Sequence, residues 1–196
     1  MNQKEFFDRH AQNWDAMEQE DIGPRLARVA SSGRISGGNR VLDVGTGTGI
    51  LIPYILDMLG DEGTILAIDI SSGMLAVARK KFPQQNVEFL EADVSETNFP
   101  DGSFDRIFCN SVFPHFSDKH STLLELKRLL APGGVLVISH PIGREAVNNI
   151  HRDAGDVVAE DRVLKAADMK ALLESAGFSE VSVVDEPDFY LAVGVR

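Results

Sequence analysis

Residues 41–49, Val41-Leu42-Asp43-Val44-Gly45-Thr46-Gly47-Thr48-Gly49, place a glycine-rich loop directly after a short apolar run. The apolar run predicts a buried strand, and the pattern that follows the loop predicts a helix at about 50–59. Glycines at such a turn permit a tight bend and let a ligand approach the backbone closely. Strand-to-helix turns also use glycine for structure alone, so the loop by itself does not identify a ligand.

Short apolar runs alternate with helical patterns through most of the chain. The runs cover 41–44, 64–70, 87–90, 104–110 and 134–139, and the helical patterns lie at about 50–59, 72–81, 118–130 and 166–176. This alternation predicts a parallel sheet with helices on both faces. Residues 178–185 and 189–195 flank a turn at 186–188, which predicts an antiparallel hairpin. We therefore expect an α/β fold with a doubly wound, Rossmann-like, mostly parallel seven-stranded sheet that ends in this hairpin.

The composition argues against several classes of protein. The chain has 196 residues, with 19 basic and 30 acidic side chains and a net charge of −11. A chain this acidic has no general attraction to phosphate backbones, so we expect no nucleic-acid partner. It has no run of 18 apolar residues and no apolar signal-type segment near its start, so we expect no membrane span and a cytoplasmic location. The single cysteine, Cys109, excludes an internal disulfide framework and predicts a core position.

Three carboxylates accompany the glycine loop. Asp69 ends the second apolar run, where an acidic residue can accept hydrogen bonds from ribose hydroxyls, and Asp93 follows the third run, where it can accept one from an adenine amino group. Asp43 lies inside an apolar strand and needs donors, from the loop or from a ligand's ammonium group, because an unpaired buried carboxylate is costly. This acidic set suits a cationic ligand better than a pyrophosphate. Ile50 also replaces the third glycine of the dinucleotide motif.

The order of these motifs resembles that of the class I S-adenosylmethionine-dependent methyltransferases, in particular the small-molecule branch that includes ubiquinone- and menaquinone-biosynthesis methyltransferases. The resemblance runs from about Phe6 to the C-terminus. The matching segments are 41–49, 67–71 with 74–75, 87–93, 99–105 and 126–138. The resemblance implies S-adenosylmethionine as cofactor and methyl transfer to a small-molecule acceptor as the reaction.

The resemblance also implies roles for individual residues. The loop would contact the methionine part of the cofactor, Asp69 would hold its ribose, and Asn110 would lie beside its sulfonium. Trp14 resembles part of an N-terminal lid that closes over the cofactor or substrate, although plain helix packing is an equal alternative for the aromatic residues there. The expected cofactor-binding residues are Trp14, Asp43, Gly45, Thr46, Gly47, Asp69, Ile70, Met74, Asp93, Val94 and Asn110.

Two histidines follow strands at the edge of the sheet where ligands bind. His115 follows the fourth strand and His140 follows the fifth, and either is a candidate catalytic base with a near-neutral pKa, or else a structural imidazole. On a helix at about 143–153, Arg144, Asn148 and His151 recur on one face. We interpret them as substrate-binding residues, with Arg144 on an anionic group, although a solvated amphipathic helix explains the pattern as well. The spacing matches no usual metal site, so we expect no metal.

The chain is expected to form a single methyltransferase domain over residues 1–196. Its parts are an N-terminal helical lid (1–38), a cofactor-binding core (39–139), a substrate-specificity segment (140–165) and a C-terminal helix with hairpin (166–196). Two other functions stay open from the sequence: a nicotinamide-dependent oxidoreductase and a non-catalytic module that binds S-adenosylmethionine. The sequence leaves the acceptor and the oligomeric state undetermined.

Overall fold

The computed structural model describes residues 2–17, 22–154 and 156–196, so residues 18–21 of the predicted lid lie outside the described residues. One sheet contains the strands β1 (Arg40–Val44), β2 (Thr64–Asp69), β3 (Val87–Glu91), β4 (Phe104–Asn110), β5 (Leu130–His140), β6 (Ser179–Glu186) and β7 (Phe189–Val195). Their order across the sheet is β3-β2-β1-β4-β5-β7-β6. Strands β1 to β5 pair in parallel, and β7 runs antiparallel to both β5 and β6. The predicted fold class is confirmed.

Helices cover both faces of the sheet. They are α1 (Gln3–His10), α2 (Trp14–Met17), α3 (Gly23–Ser32), α4 (Ile52–Leu59), α5 (Ser72–Lys81), α6 (Lys119–Leu129), α7 (Arg144–Ala154) and α8 (Ala166–Ser175). Short 3-10 helices lie at 11–13, 94–96, 113–115 and 156–158. Within the described ranges, none of these helices combines the length and the apolarity that crossing a membrane requires.

Alternate residues of β1 pack into two hydrophobic cores, one on each face of the sheet. Leu42 and Val44 pack into the core on one face, with apolar residues of α6 and α8, and Val41 packs on the other, with residues of α3 and α4. Because both faces of β1 are covered, its buried residues are apolar except for Asp43. The order of strands reverses between β1 and β4, and ligands of open α/β sheets bind beyond the carboxyl ends of the strands at such a point.

Strand β5 begins earlier than the sequence pattern predicts. We expected it at 134–139, but Leu130 already pairs with Phe104, and the register then shifts before Val135 pairs with Arg106. Gly133 has a φ of +75° within this irregularity. Pro132 and Gly133 therefore lie in an irregular stretch inside the strand rather than in a connection before it.

Gly143 fixes how α7 leaves the sheet. Its φ is +79°, and a Cβ at this position would lie 2.3 Å from the carbonyl oxygen of Pro187, in the turn between β6 and β7. The atoms that this Cβ would meet are backbone atoms of Pro187 and Asp188, which cannot move aside as the end of a flexible side chain could. The start of the predicted specificity segment is thus packed directly against the C-terminal hairpin.

We expect Gly143→Ala to destabilise the protein more than Gly38→Ala does. Gly38 has nearly the same φ, +80°, but a Cβ there would meet nothing within 4 Å. Both changes cost about 1–2 kcal/mol for the left-handed backbone, and the clash at Gly143 adds about 1–3 kcal/mol. Urea unfolding measures the difference, and equal losses in the two variants would show that the contact with Pro187 is unimportant.

Candidate active site

A cavity of about 1100 Å³ opens at the carboxyl ends of the central strands. It lies at the upper end of the range for small-molecule pockets, so it has room for a cofactor and a second small molecule. All eleven residues expected to bind the cofactor line it, and so do His115, His140 and His151. Their places in the cavity wall agree with the expected roles, which stay predictions.

The glycine loop needs glycine at two positions for different reasons. Gly45 has a φ of +66°, and a Cβ there would lie 2.3 Å from a methyl group of Val112, so the chain after β4 packs onto bare backbone. Gly47 has a φ of +56°, but a Cβ there would meet nothing within 4 Å. Glycine at 47 therefore supplies the left-handed conformation and leaves the loop backbone open to the cavity.

Asp69 joins the loop to the end of β2. One carboxylate oxygen accepts the amide of Gly47 at 2.8 Å, and the other accepts the amide of Ser71 at 2.8 Å. Burial raises the pKa of Asp69 above its usual value, and these two hydrogen bonds oppose that shift. Each oxygen keeps capacity for a further bond, so the pair of oxygens can accept two neighbouring hydroxyl groups of a ligand.

Asp43 is almost completely buried beneath the same loop. Its carboxylate accepts the hydroxyl of Thr46 at 2.7 Å. Burial raises the pKa of Asp43 to about 7, and the nearby charge of Asp69 contributes to the rise. A positively charged ligand group beside Asp43 would favour its ionised form and lower this pKa.

Two further polar residues line the cavity at the ends of β4 and β3. Asn110 ends β4, and its carbonyl oxygen accepts the hydroxyl of Ser139 at 2.8 Å. This bond assigns the amide nitrogen of Asn110 as a donor on the opposite side of the group. Asp93 accepts the amide and hydroxyl of Ser95 on one oxygen, at 2.9 and 2.7 Å, so its second oxygen is available to a ligand.

His115 and Asp161 form a hydrogen-bonded pair, which we call the His115–Asp161 pair. Nδ1 of His115 lies 2.6 Å from Oδ2 of Asp161, and both side chains are mostly buried. An ionised carboxylate only accepts, so Nδ1 donates and Nε2 of the neutral ring keeps its lone pair. A carboxylate that fixes a histidine in this way is the arrangement of a general base.

The sequence did not reveal Asp161. It lies 46 residues from His115, beyond α7, and no local spacing connects the two. Its backbone carbonyl also accepts Nδ1 of His151 at 2.9 Å, and the rings of His115 and His151 have centroids 4.9 Å apart. One residue thus orients two imidazoles. The only available signal was an acidic residue within the segment predicted to set specificity.

His140 differs from the expectation for a base. It is 1% exposed, it faces Tyr190 across the β5–β7 pair, and its Nδ1 has no hydrogen-bond partner among the described residues. Burial lowers the pKa of His140 to about 3, with further contributions from His115 and His151. The expected near-neutral pKa is therefore wrong for His140, and this residue lines the cavity as a neutral imidazole.

The three residues predicted to share one face of α7, Arg144, Asn148 and His151, have different surroundings in the structure. Arg144 pairs with Asp185 on β6 at 2.7 Å, and Asn148 binds the backbone of Val163 through both its oxygen and its nitrogen. Neither is among the residues that line the cavity, so their role in substrate binding stays a prediction that the cavity wall does not support. Of the three, only His151 lines the cavity. The spacing of polar residues along a helix does not reveal which strand or loop will pack against them. Here β6 contacts Arg144, and Val163 contacts Asn148.

Helices α1 and α2, which belong to the predicted lid, border the cavity and contact the glycine loop and the start of α5. Asp8 accepts the hydroxyl of Ser71 at 2.6 Å and the amide of Gly73 at 2.9 Å. Asp15 accepts the hydroxyl of Thr48 at 2.6 Å and also pairs with Lys81. The lid aromatics Phe6, Phe7 and Trp14 line the cavity. These hydrogen bonds and ion pairs hold α1 and α2 beside the cavity.

The central part of the chain matches a known family. Residues 42–138 match a model described as a methyltransferase domain. The demethylmenaquinone methyltransferase of Thermus thermophilus is 42% identical over 101 residues, 50% of this chain and 46% of that protein. A ubiquinone/menaquinone biosynthesis C-methyltransferase of Coxiella burnetii is 35% identical over 109 residues, 54% of this chain and 44% of that protein. The chain spans less than half the length of either relative.

A solved structure extends the likeness to most of the chain. A SAM-dependent methyltransferase from Aquifex aeolicus is similar with a TM-score of 0.69 and 29% identity, over 89% of each chain. These comparisons identify S-adenosylmethionine as the cofactor and favour the methyltransferase hypothesis over the nicotinamide one. Residues 42–138 thus form a methyltransferase domain, and the chain is similar to the class I S-adenosylmethionine-dependent methyltransferases.

Proposed function

We propose that this chain transfers a methyl group from S-adenosylmethionine to a small-molecule acceptor in the cytoplasm. One observation carries the proposal: a single cavity holds the glycine loop with its buried carboxylates and, on its other wall, the His115–Asp161 pair. The first set suits a cationic nucleoside cofactor. The second supplies a base for an acceptor that must lose a proton.

The residues present fit the cofactor. The open backbone at Gly47 and the two accepting oxygens of Asp69 match a ribose diol beside a tightly turned loop. The raised pKa of Asp43 marks a buried carboxylate that an ammonium group would stabilise in its ionised form. When bound, S-adenosylmethionine supplies an electrophilic sulfonium methyl.

The chain's own residues align the acceptor, exclude water and accept a proton. The lid aromatics and the apolar residues of α7 surround the acceptor half of the cavity, with Phe7, Phe116, Ile142, Val147 and Ile150 in the wall. Alignment of this kind contributes up to about 7–11 kcal/mol in favourable reactions. We assign His115 as the base, and His140, neutral at physiological pH, as a hydrogen-bonding group.

Segment 140–165 is proposed to set acceptor specificity, because it contributes His151 and Asp161 to the cavity along with part of its apolar wall. The net charge of −11 supports a small molecule rather than a nucleic acid as acceptor. Quinone precursors are one class to include in a screen, because two relatives are named for ubiquinone and menaquinone biosynthesis.

The test of the cofactor site is calorimetric titration with S-adenosylhomocysteine. We expect Asp69→Asn to weaken binding by about 10- to 100-fold, because hydrogen bonds to a charged group contribute about 1.5–3 kcal/mol. The matched control is Glu88→Gln, since Glu88 is exposed on β3, next to β2, and does not line the cavity. Equal affinities for Asp69→Asn and wild type would contradict the proposed site.

Cofactor affinity should depend on pH through Asp43. The free protein holds a proton on Asp43 with a pKa of about 7, and a bound ammonium group lowers that pKa, so binding must release the proton below pH 7. We expect S-adenosylhomocysteine to bind about tenfold more weakly at pH 6 than at pH 8. In Asp43→Asn, which keeps a group of the same shape but cannot ionise, this dependence should disappear. A wild-type profile as flat as that of the variant would argue against a cation beside Asp43.

His115→Gln should lower kcat by about 10²- to 10⁴-fold with an acceptor whose methylated atom must lose a proton. Acceptors are found first by screening neutral phenols, amines and quinols with labelled S-adenosylmethionine. His120→Gln is the control, because His120 is exposed on α6 and does not line the cavity. Cofactor affinity should persist in both variants, and an unchanged kcat in His115→Gln would remove the base assignment.

A further inference from the structure

Helix α1 contacts both walls of the cavity. On the cofactor side, Asp8 binds the hydroxyl of Ser71 and the amide of Gly73 at the start of α5. Ser71 donates its own amide to Asp69 at 2.8 Å. A short chain of hydrogen bonds therefore runs from the carboxylate expected to hold the ribose to the middle of the lid helix.

Gln3 reaches the opposite wall from the first turn of the same helix. Its side-chain nitrogen donates to Oδ2 of Asp161 at 3.2 Å and to the backbone oxygen of His115 at 3.4 Å. Oδ2 of Asp161 is also the atom that accepts Nδ1 of His115. One carboxylate oxygen is thus shared between the lid and the histidine.

Phe7 strengthens this connection. It follows Gln3 by four residues, so the two side chains lie on one face of α1. The Phe7 ring meets the His115 ring edge-on with centroids 5.3 Å apart. Gln3 holds the partner of the imidazole and Phe7 limits the tilt of the ring. Movement of α1 away from the cavity would remove both restraints together.

We propose that Gln3 is a positioning residue, which acts through Asp161 so that His115 takes its working orientation only while α1 is docked. The proposal rests on the proposed function, because the orientation of His115 matters to it only as a base. In this proposal, docking of α1 over the cofactor and orientation of the His115 ring occur together. Proton removal is then restricted to the state in which water is excluded.

The His115 ring has several titratable neighbours that an experiment must track. They are Asp161 after α7, His151 on α7, His140 at the end of β5, Asp69 at the end of β2 and Lys119 at the start of α6. Nitrogen NMR of labelled histidines resolves each imidazole, so changes at His115 are separable from those at His140 and His151.

The test records the tautomer and pH titration of His115 in protein saturated with S-adenosylhomocysteine. We expect the Nδ1–H form to dominate in the wild type and the Nε2–H form to rise severalfold in Gln3→Ala. Gln3→Glu keeps the length of the side chain but places an acceptor and a negative charge opposite Asp161, so it should change the signals further. Asp8→Ala touches neither member of the pair, yet it should shift His115 in the same direction by undocking α1.

Arg9→Ala is the control for a general effect on the helix, because Arg9 is exposed on α1. Unchanged His115 signals in both Gln3 variants, or an equal shift in Arg9→Ala, would overturn the inference. Calorimetry on the same samples separates this result from failure of the proposed function. If the wild type binds S-adenosylhomocysteine and the Gln3 variants leave His115 unaltered, only the role of Gln3 is lost; if the wild type does not bind it, the cofactor proposal itself fails.

Discussion

The cofactor half of the site depends on the buried carboxylate of Asp69. Its two oxygens hold the amides of Gly47 and Ser71, which belong to segments 24 residues apart in the chain. Ser71 in turn binds Asp8 of the lid. Loop, strand end and lid are therefore positioned by one side chain, and its removal would leave buried amides unpaired at a cost of about 1–3 kcal/mol each.

Asp161 has the corresponding place in the acceptor half. Its carboxylate orients His115, and its carbonyl orients His151. The contrast with His140 shows what such a partner does. His115 follows β4 and His140 ends β5 at the same edge of the sheet, but His140 lies buried without a carboxylate partner, and burial lowers its pKa to about 3. The carboxylate that accepts Nδ1–H, rather than the position at the end of a strand, distinguishes the candidate base from His140.

The parts of the structure that the sequence predicts are those set by local pattern. Alternation of apolar runs with helical patterns is enough to predict the sheet, because each run needs two covered faces. The loop glycines and Asp69 follow from the same logic, since strand ends meet at one edge. Asp161 and the fate of Arg144 depend on contacts 46 and 41 residues apart. No periodicity specifies which side chain a distant strand or loop will bring there.

Three carboxylates of the site, those of Asp43, Asp69 and Asp8, repel one another when they are ionised. Burial raises the pKa of both Asp43 and Asp69, and the charge of Asp69 adds to the rise at Asp43, as that of Asp8 does at Asp69. Ionised Asp43 costs stability, because its folded pKa lies above the value of the unfolded chain, and this cost grows as pH rises from about 4 to 7. The same buried carboxylate that lowers the stability of the free protein increases its affinity for a positively charged ligand. A cation beside Asp43 would favour its ionised form, so ligand binding would offset this cost.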